Sequence, residues 1–261
     1  MVGHVEWVDF VRLDRYPPRG GLEQAEREKA QAGGGAVVAA ATLAELGAEV
    51  DFFCALGDDV NGHTACEQLT RRGVRVQVAW RDTPTRYVFT MLDAGGERTI
   101  VTVGERLRPY GDDDLEWERL ERADGVYVTA GDAGAAHRAR AARVLVATPR
   151  LCEQLADDAP AIDAVVFSSS DEHEVRWAES LAGQTRLMFA TEGADGGRWW
   201  GESEGRWPAV APPGEPRDTY GCGDSFAAGL TFGLAQGQPP GDAAAVGARC
   251  GAEMLTRVGA P

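Results

Sequence analysis

The stretch Asp218-Thr219-Tyr220-Gly221-Cys222-Gly223-Asp224-Ser225-Phe226-Ala227-Ala228-Gly229 decides how this chain is read. The glycines at 221 and 223 free the backbone to present N–H groups, and an apolar helix follows at once. Loop and helix start together make an anion cradle, with the positive end of the helix dipole aimed at whatever sits there. Asp224 falls in the first turn of that helix. A carboxylate is a poor neighbour for a phosphate that is merely bound. It is a good one if it takes a proton from a hydroxyl that then attacks the phosphorus. The competing local reading is that Asp224 simply caps the helix. A dinucleotide-binding turn is excluded, because Phe226 stands where a third small residue is needed and the preceding Pro212-Pro213-Gly214-Glu215-Pro216 is no strand.

Composition removes other classes. Lys plus Arg is 26 against 41 Asp plus Glu, a formal net charge of −15, which repels a nucleic-acid backbone. Lysine occurs once, at Lys29 in the polar run Glu26-Arg27-Glu28-Lys29-Ala30. There is no Gly-Lys pair for a Walker A loop, no protein-kinase V-A-I-K, and no apolar setting for a Schiff-base lysine. Five cysteines without a C-x-x-C pair and four scattered histidines give neither a disulfide framework nor a zinc spacing. No apolar run is long enough to span a membrane, and Met1-Val2-Gly3-His4-Val5-Glu6 lacks a signal-peptide pattern, so a cytoplasmic protein without a membrane partner is expected.

Outward from the cradle, apolar runs predict strands at Val2–Val11, Val50–Ala55, Val74–Trp80, Arg86–Leu92, Thr99–Val103, Val126–Thr129, Val144–Ala147, Ala164–Phe167 and Leu187–Ala190. Helical periodicity predicts helices at Ala36–Leu46, Thr64–Arg72, Asp171–Leu181, Asp224–Gln236 and Asp242–Arg257. Alternating strands and helices imply β-α-β units and a mostly parallel sheet with helices on both faces. Arg86–Leu92 and Thr99–Val103, joined by Asp93-Ala94-Gly95-Gly96, read instead as an antiparallel hairpin. With the first strand it would form a small separate sheet, a natural lid. Trp199 and Trp207 flank a second hairpin around Gly201-Glu202-Ser203-Glu204-Gly205. That segment matches G-x-S-x-G but lacks the strand–helix setting of a nucleophile elbow.

Two segments resemble the signatures of the ribokinase-like (PfkB) family of carbohydrate kinases. One runs from Gly33-Gly34 through Leu46-Gly47 to Gly57-Asp58-Asp59 and Gly62; the other is Asp218–Gly229. Thr191-Glu192-Gly193-Ala194-Asp195-Gly196 resembles the family's nucleotide loop, and Gly3–Asp9 through Tyr16–Gly20 its first strand and lid entry. The resemblance implies a single ribokinase-like three-layer α/β domain over 1–261, with a β lid from about 9–32 and 83–104. It implies Mg2+-ATP as donor and a sugar hydroxyl as acceptor. Asp224 would be the general base, and the Gly221, Cys222 and Gly223 amides the anion hole. Thr191, Gly193, Gly196, Asp218 and Thr219 would face the nucleotide, with a monovalent cation such as K+ near Asp218. Gly33 and Gly34 would lie against the sugar, joined by Arg98 on the hairpin. Lids of this family often pair between subunits, which implies a homodimer.

The sugar end departs from the pattern. Val38 replaces an asparagine after the double glycine, and Val8 falls where an aspartate is expected. Glu6, on the same strand face as Val8, is the substitute this predicts, with Asp9 beside it facing the other way. The magnesium-associated N-x-x-E is replaced by Ser168-Ser169-Ser170-Asp171-Glu172, which nominates Asp171 and Glu172 as metal ligands. A nucleoside or phosphorylated sugar is an alternative acceptor. A sugar- or nucleotide-binding protein of weak activity on the same fold is the alternative from another class.

Overall fold

The computed structural model describes residues 1–93, 98–155, 158–257 and 259, with the side chains of Arg98, Cys152 and Glu153 left undescribed. In chain order the elements are β1 (Glu6–Arg12), β2 (Glu26–Gly33), α1 (Gly35–Glu45), β3 (Val50–Gly57), α2 (Val60–Arg71), β4 (Val74–Arg81), β5 (Tyr87–Leu92) and β6 (Arg98–Val103). Then follow β7 (Val126–Val128), α3 (Ala133–Ala139), β8 (Leu145–Ala147), the short α4 (Cys152–Leu155), β9 (Ile162–Ser168), α5 (Glu172–Leu181), β10 (Thr185–Thr191), β11 (Gly197–Gly201), β12 (Gly205–Trp207), α6 (Cys222–Ala235) and α7 (Pro240–Met254).

The larger sheet has the order β4-β3, then the N-terminal segment at Val2, then β7-β8-β9-β10-β11-β12. Val2 bridges Phe53 and Val128 in parallel, and Thr129 N donates to Val2 O at 2.9 Å, so one residue joins the two halves. Parallel pairing runs through β10, and β11 and β12 then return antiparallel. Side-chain alternation splits the core into two layers. Phe52, Cys54, Val146, Ala164, Val166 and Phe189 face α1, α6 and α7; Phe53, Leu145, Ala147, Val165, Phe167 and Ala190 face the other way, toward α3 and α5. α6 carries little amphipathic pattern because it is enclosed, with Phe226, Ala227, Ala228 and Leu230 all buried.

The second sheet has the order β2-β1-β5-β6 around Val8, Phe10 and Val88. One expectation needs correction here. The run Val2–Val11 is not one strand: Val2 belongs to the large sheet, and β1 starts at Glu6 in the small one. The polar run at Glu26–Ala30, to which no element is assigned from the sequence, is strand and pairs antiparallel with β1. Its charges suit an edge strand, where the solvent-facing rim is safest when polar. Arg12 Nε donates to Glu28 at 2.6 Å and Arg27 to Asp9 at 2.7 Å. The expected turn Asp93–Gly96 lies, beyond Asp93, outside the described residues.

Candidate active site

At the start of α6, Gly221 occupies the N-cap with φ 74°, a left-handed backbone that favours glycine. A Cβ there would also come within 2.8 Å of Val38 Cγ1, so Val38, itself fully buried, is the seat on which the loop rests. The helical ladder begins with Ser225 N donating to Gly221 O at 2.8 Å. The preceding amides of Gly221, Gly223 and Asp224 therefore have no acceptor within the helix, as at any helix start. The side chains of Ser225 and Thr42 share a hydrogen bond of 3.0 Å that fixes α6 against α1. Because Gly221 fills the cap, the carboxylate of Asp224 is not spent on capping.

Asp224 is partly exposed as a residue, and its carboxylate lies against the backbone of Gly35 at the first turn of α1. An added Cβ on Gly35 would sit 2.6 Å from Asp224 Cγ, so only glycine leaves the carboxylate its place. The hydroxyl of Tyr127, buried in β7, is close enough to Asp224 to favour its charged form. Burial raises the Asp224 carboxyl above the ordinary range, helped by the nearby charge of Glu174 and opposed by Arg150 and the Tyr127 hydroxyl. Arg150 binds Glu174 at 2.6 Å, and Glu174 also accepts from Ser168 N at 2.9 Å. These groups come from neighbouring parallel strands or the segments after them: Tyr127 in β7, Arg150 after β8, Ser168 at the end of β9 and Glu174 in α5. The carboxyl edge of a parallel sheet is where α/β folds build their sites.

Glu174 escaped the sequence reading, which stopped at Asp171 and Glu172. Asp171 is the N-cap of α5, accepting from His173 N at 2.9 Å and Glu174 N at 3.2 Å, and Glu172 points to solvent in the first turn. The spacing Asp171-x-x-Glu174 was the signal available, a capping spacing whose acid here turns toward Ser168 and Arg150. Tyr127, Arg150 and Gly35 were also missed, since nothing local marks them.

At the double glycine, Gly33 lies between Val8 and the Tyr220 hydroxyl, and Gly34 N donates to that hydroxyl at 2.7 Å. Glu6 is mostly buried, 3.2 Å from Arg86 and 3.7 Å from His4 Nε2. Asp9 is already engaged by Arg27 and by the Tyr87 hydroxyl, so it is part of the small sheet's internal bonding. Arg98 opens β6, but its side chain lies outside the described residues. Thr191 ends β10 with its hydroxyl donating to Phe167 O at 3.3 Å, and Gly193 and Gly196, both at positive φ, shape the turn that follows. Asp218 accepts from Tyr220 N at 2.9 Å, which places it and Thr219 in the loop entering α6.

Comparison with known proteins now adds to this geometry. The family model described as pfkB family carbohydrate kinase matches residues 1–261. An ATP-dependent ribose-1-phosphate kinase of Halopiger xanaduensis is 28% identical over 250 residues, covering 87% of this chain and 81% of the relative. The ribokinase of Bacillus subtilis is 27% identical over 251 residues, covering 87% and 82%. Among solved structures, a putative ribokinase from Agrobacterium tumefaciens superposes with a TM-score of 0.80 at 22% identity, covering all of this chain and 92% of the other. The ribokinase of Arabidopsis thaliana complexed with ribose and ATP gives 0.77 at 19%, covering 99% and 92%. At these identities the structures speak for the fold.

Proposed function

The chain belongs to the pfkB family of carbohydrate kinases, phosphotransferases with an alcohol acceptor and ATP as donor, and on that premise we propose that Asp224 is its general base. The observation that carries this is the position of a desolvated carboxylate, not used as a cap, at a helix start where the amides of Gly221, Gly223 and Asp224 have no acceptor within the helix. The base accepts the proton of a sugar hydroxyl as its oxygen attacks the γ-phosphorus and the bond to ADP breaks. The amides of Gly221 and Gly223 meet the charge on the transferring group without reorganising, whereas Cys222 N, expected beside them, donates to Thr219 O at 3.4 Å. Thr191, Gly193, Gly196, Asp218 and Thr219 serve the nucleotide, and a monovalent cation would neighbour Asp218. Gly33, Gly34 and Glu6 border the sugar, and the small sheet acts as a lid that keeps water from competing as acceptor.

Magnesium fits this arrangement as an ion carried in on the nucleotide. Such ions keep several waters and take only one or two carboxylates besides the phosphates. Glu174, a 5% exposed acid near Asp224, is the residue that would face it, and the ion would neutralise charge on the phosphates. Purified protein with Mg2+-ATP, offered a panel of sugars and nucleosides, should form ADP in an acceptor-dependent way with one phosphomonoester per ADP. If no acceptor stimulates ADP release while one of them raises the melting temperature, the protein binds without turnover and this reading fails.

A further inference from the structure

On the sugar side of the site an acidic protein gathers basic groups. His4, Glu6 and Arg86 form a floor whose side chains are 8%, 12% and 15% exposed. Arg106, in the segment after β6, and Arg150, after β8, stand at its rim, both exposed as residues. Glu6 is the one acid of the group, and it occupies a terminal nitrogen of Arg86 at 3.2 Å. Arg86 Nε and His4 Nδ1 are buried and have no hydrogen-bond partner among the described residues. Arg106 makes no hydrogen bond or ion pair there, though it feels Glu6, Arg86 and Arg150 electrostatically. Buried donors left unpaired are costly, which points to an acceptor that arrives with the ligand.

We infer that the acceptor is a sugar already bearing a phosphate, held by Arg86 and Arg106 over His4. The inference rests on the kinase reading for the position of the sugar. Arg86 Nε, the guanidinium of Arg106 and His4 Nδ1 together offer more N–H groups than one carboxylate can accept, and a phosphate presents three oxygens and nearly two charges. Burial and then Arg106, Arg86 and Arg150 push His4 down to about 3, so the ring stays neutral and donates through one nitrogen only. With a chain charge of −15, an anionic substrate needs such a local reversal of sign to be held at all.

The test compares kcat/KM for free and singly phosphorylated partners (ribose with its 1- and 5-phosphates, fructose with its 1- and 6-phosphates), with gluconate as the carboxylate control. Binding is read in parallel from the melting temperature. One phosphorylated sugar should exceed its free partner. Arg106→Gln should reduce that preference roughly 10- to 100-fold, as expected for lost hydrogen bonds to a charged group, with Arg106→Lys recovering part of it. Arg106 lies on the rim in an irregular segment, so the variants should fold. Free sugars turning over as well as their phosphates, or both losing equally in Arg106→Gln, would overturn the inference and leave the kinase reading intact. Gluconate preferred over every sugar phosphate would overturn it too. Stabilisation by a sugar phosphate, lost in Arg106→Gln, without turnover of any acceptor would uphold the anion site and sink the kinase reading.

Discussion

Asp224 is held in a balance of opposing influences. Burial and Glu174 push its carboxyl up; Arg150 and the Tyr127 hydroxyl pull it down. A general base works only when deprotonated, so the acid limb of kcat/KM should reflect this raised group rather than an ordinary aspartate near 3.8. Tyr127→Phe removes one of the two influences favouring the charged form. The limb should therefore move to higher pH. A pH profile that superposes on the wild type would remove Tyr127 from the account of how the base is tuned. Gly35 belongs to the same balance, because its bare Cα is what lets the carboxylate come so close.

Elements were legible where their hydrophobic pattern was local. α6 and β3 could be read because glycines and apolar runs mark them in the sequence, and the structure differs there by only a residue or two. α2 begins at Val60 rather than Thr64 because Asp59 caps it, accepting from Gly62 N at 2.7 Å. β2 was illegible to hydropathy: Glu26–Lys29 are exposed, and what makes them strand is pairing with β1 and ion pairs across it. α3 was missed because its alanines show no amphipathic stripe, although Asp132 caps it clearly. The site followed the same rule. The cradle residues and Asp224 are contiguous in sequence and can be nominated from it. Tyr127, Arg150, Glu174 and the His4–Arg86 floor are assembled by strands distant in the chain and cannot.

At the scale of the molecule, the large sheet carries the cradle and the four-stranded sheet is its proposed cover. No helix among the described residues is long and apolar enough to cross a membrane. The cover has one feature that looks for a partner. Phe89 and Val101 are cross-strand neighbours, as are Tyr87 and Val103, and Phe89, Val101 and Val103 are 39%, 44% and 55% exposed. Alternation puts these positions on one face. We propose that two copies pair there. Sedimentation should show a dimer, and Val101→Lys should shift it toward monomer; a wild type that stays monomeric at high concentration would dismiss the idea.

The central claim, a carboxylate base beside a backbone anion cradle, is tested most directly by the turnover of Asp224→Asn, with nucleotide affinity measured on the same sample. The account predicts a fall in kcat of about 10²- to 10⁴-fold, the usual worth of a general base, with nucleotide affinity nearly unchanged. The variant should be at least as stable as the wild type at neutral pH. A carboxyl raised in the folded state contributes stability below its unfolded value and loses it as pH rises through the folded one, so removing the charge there is no burden. A folded Asp224→Asn that turns over like the wild type would contradict the account.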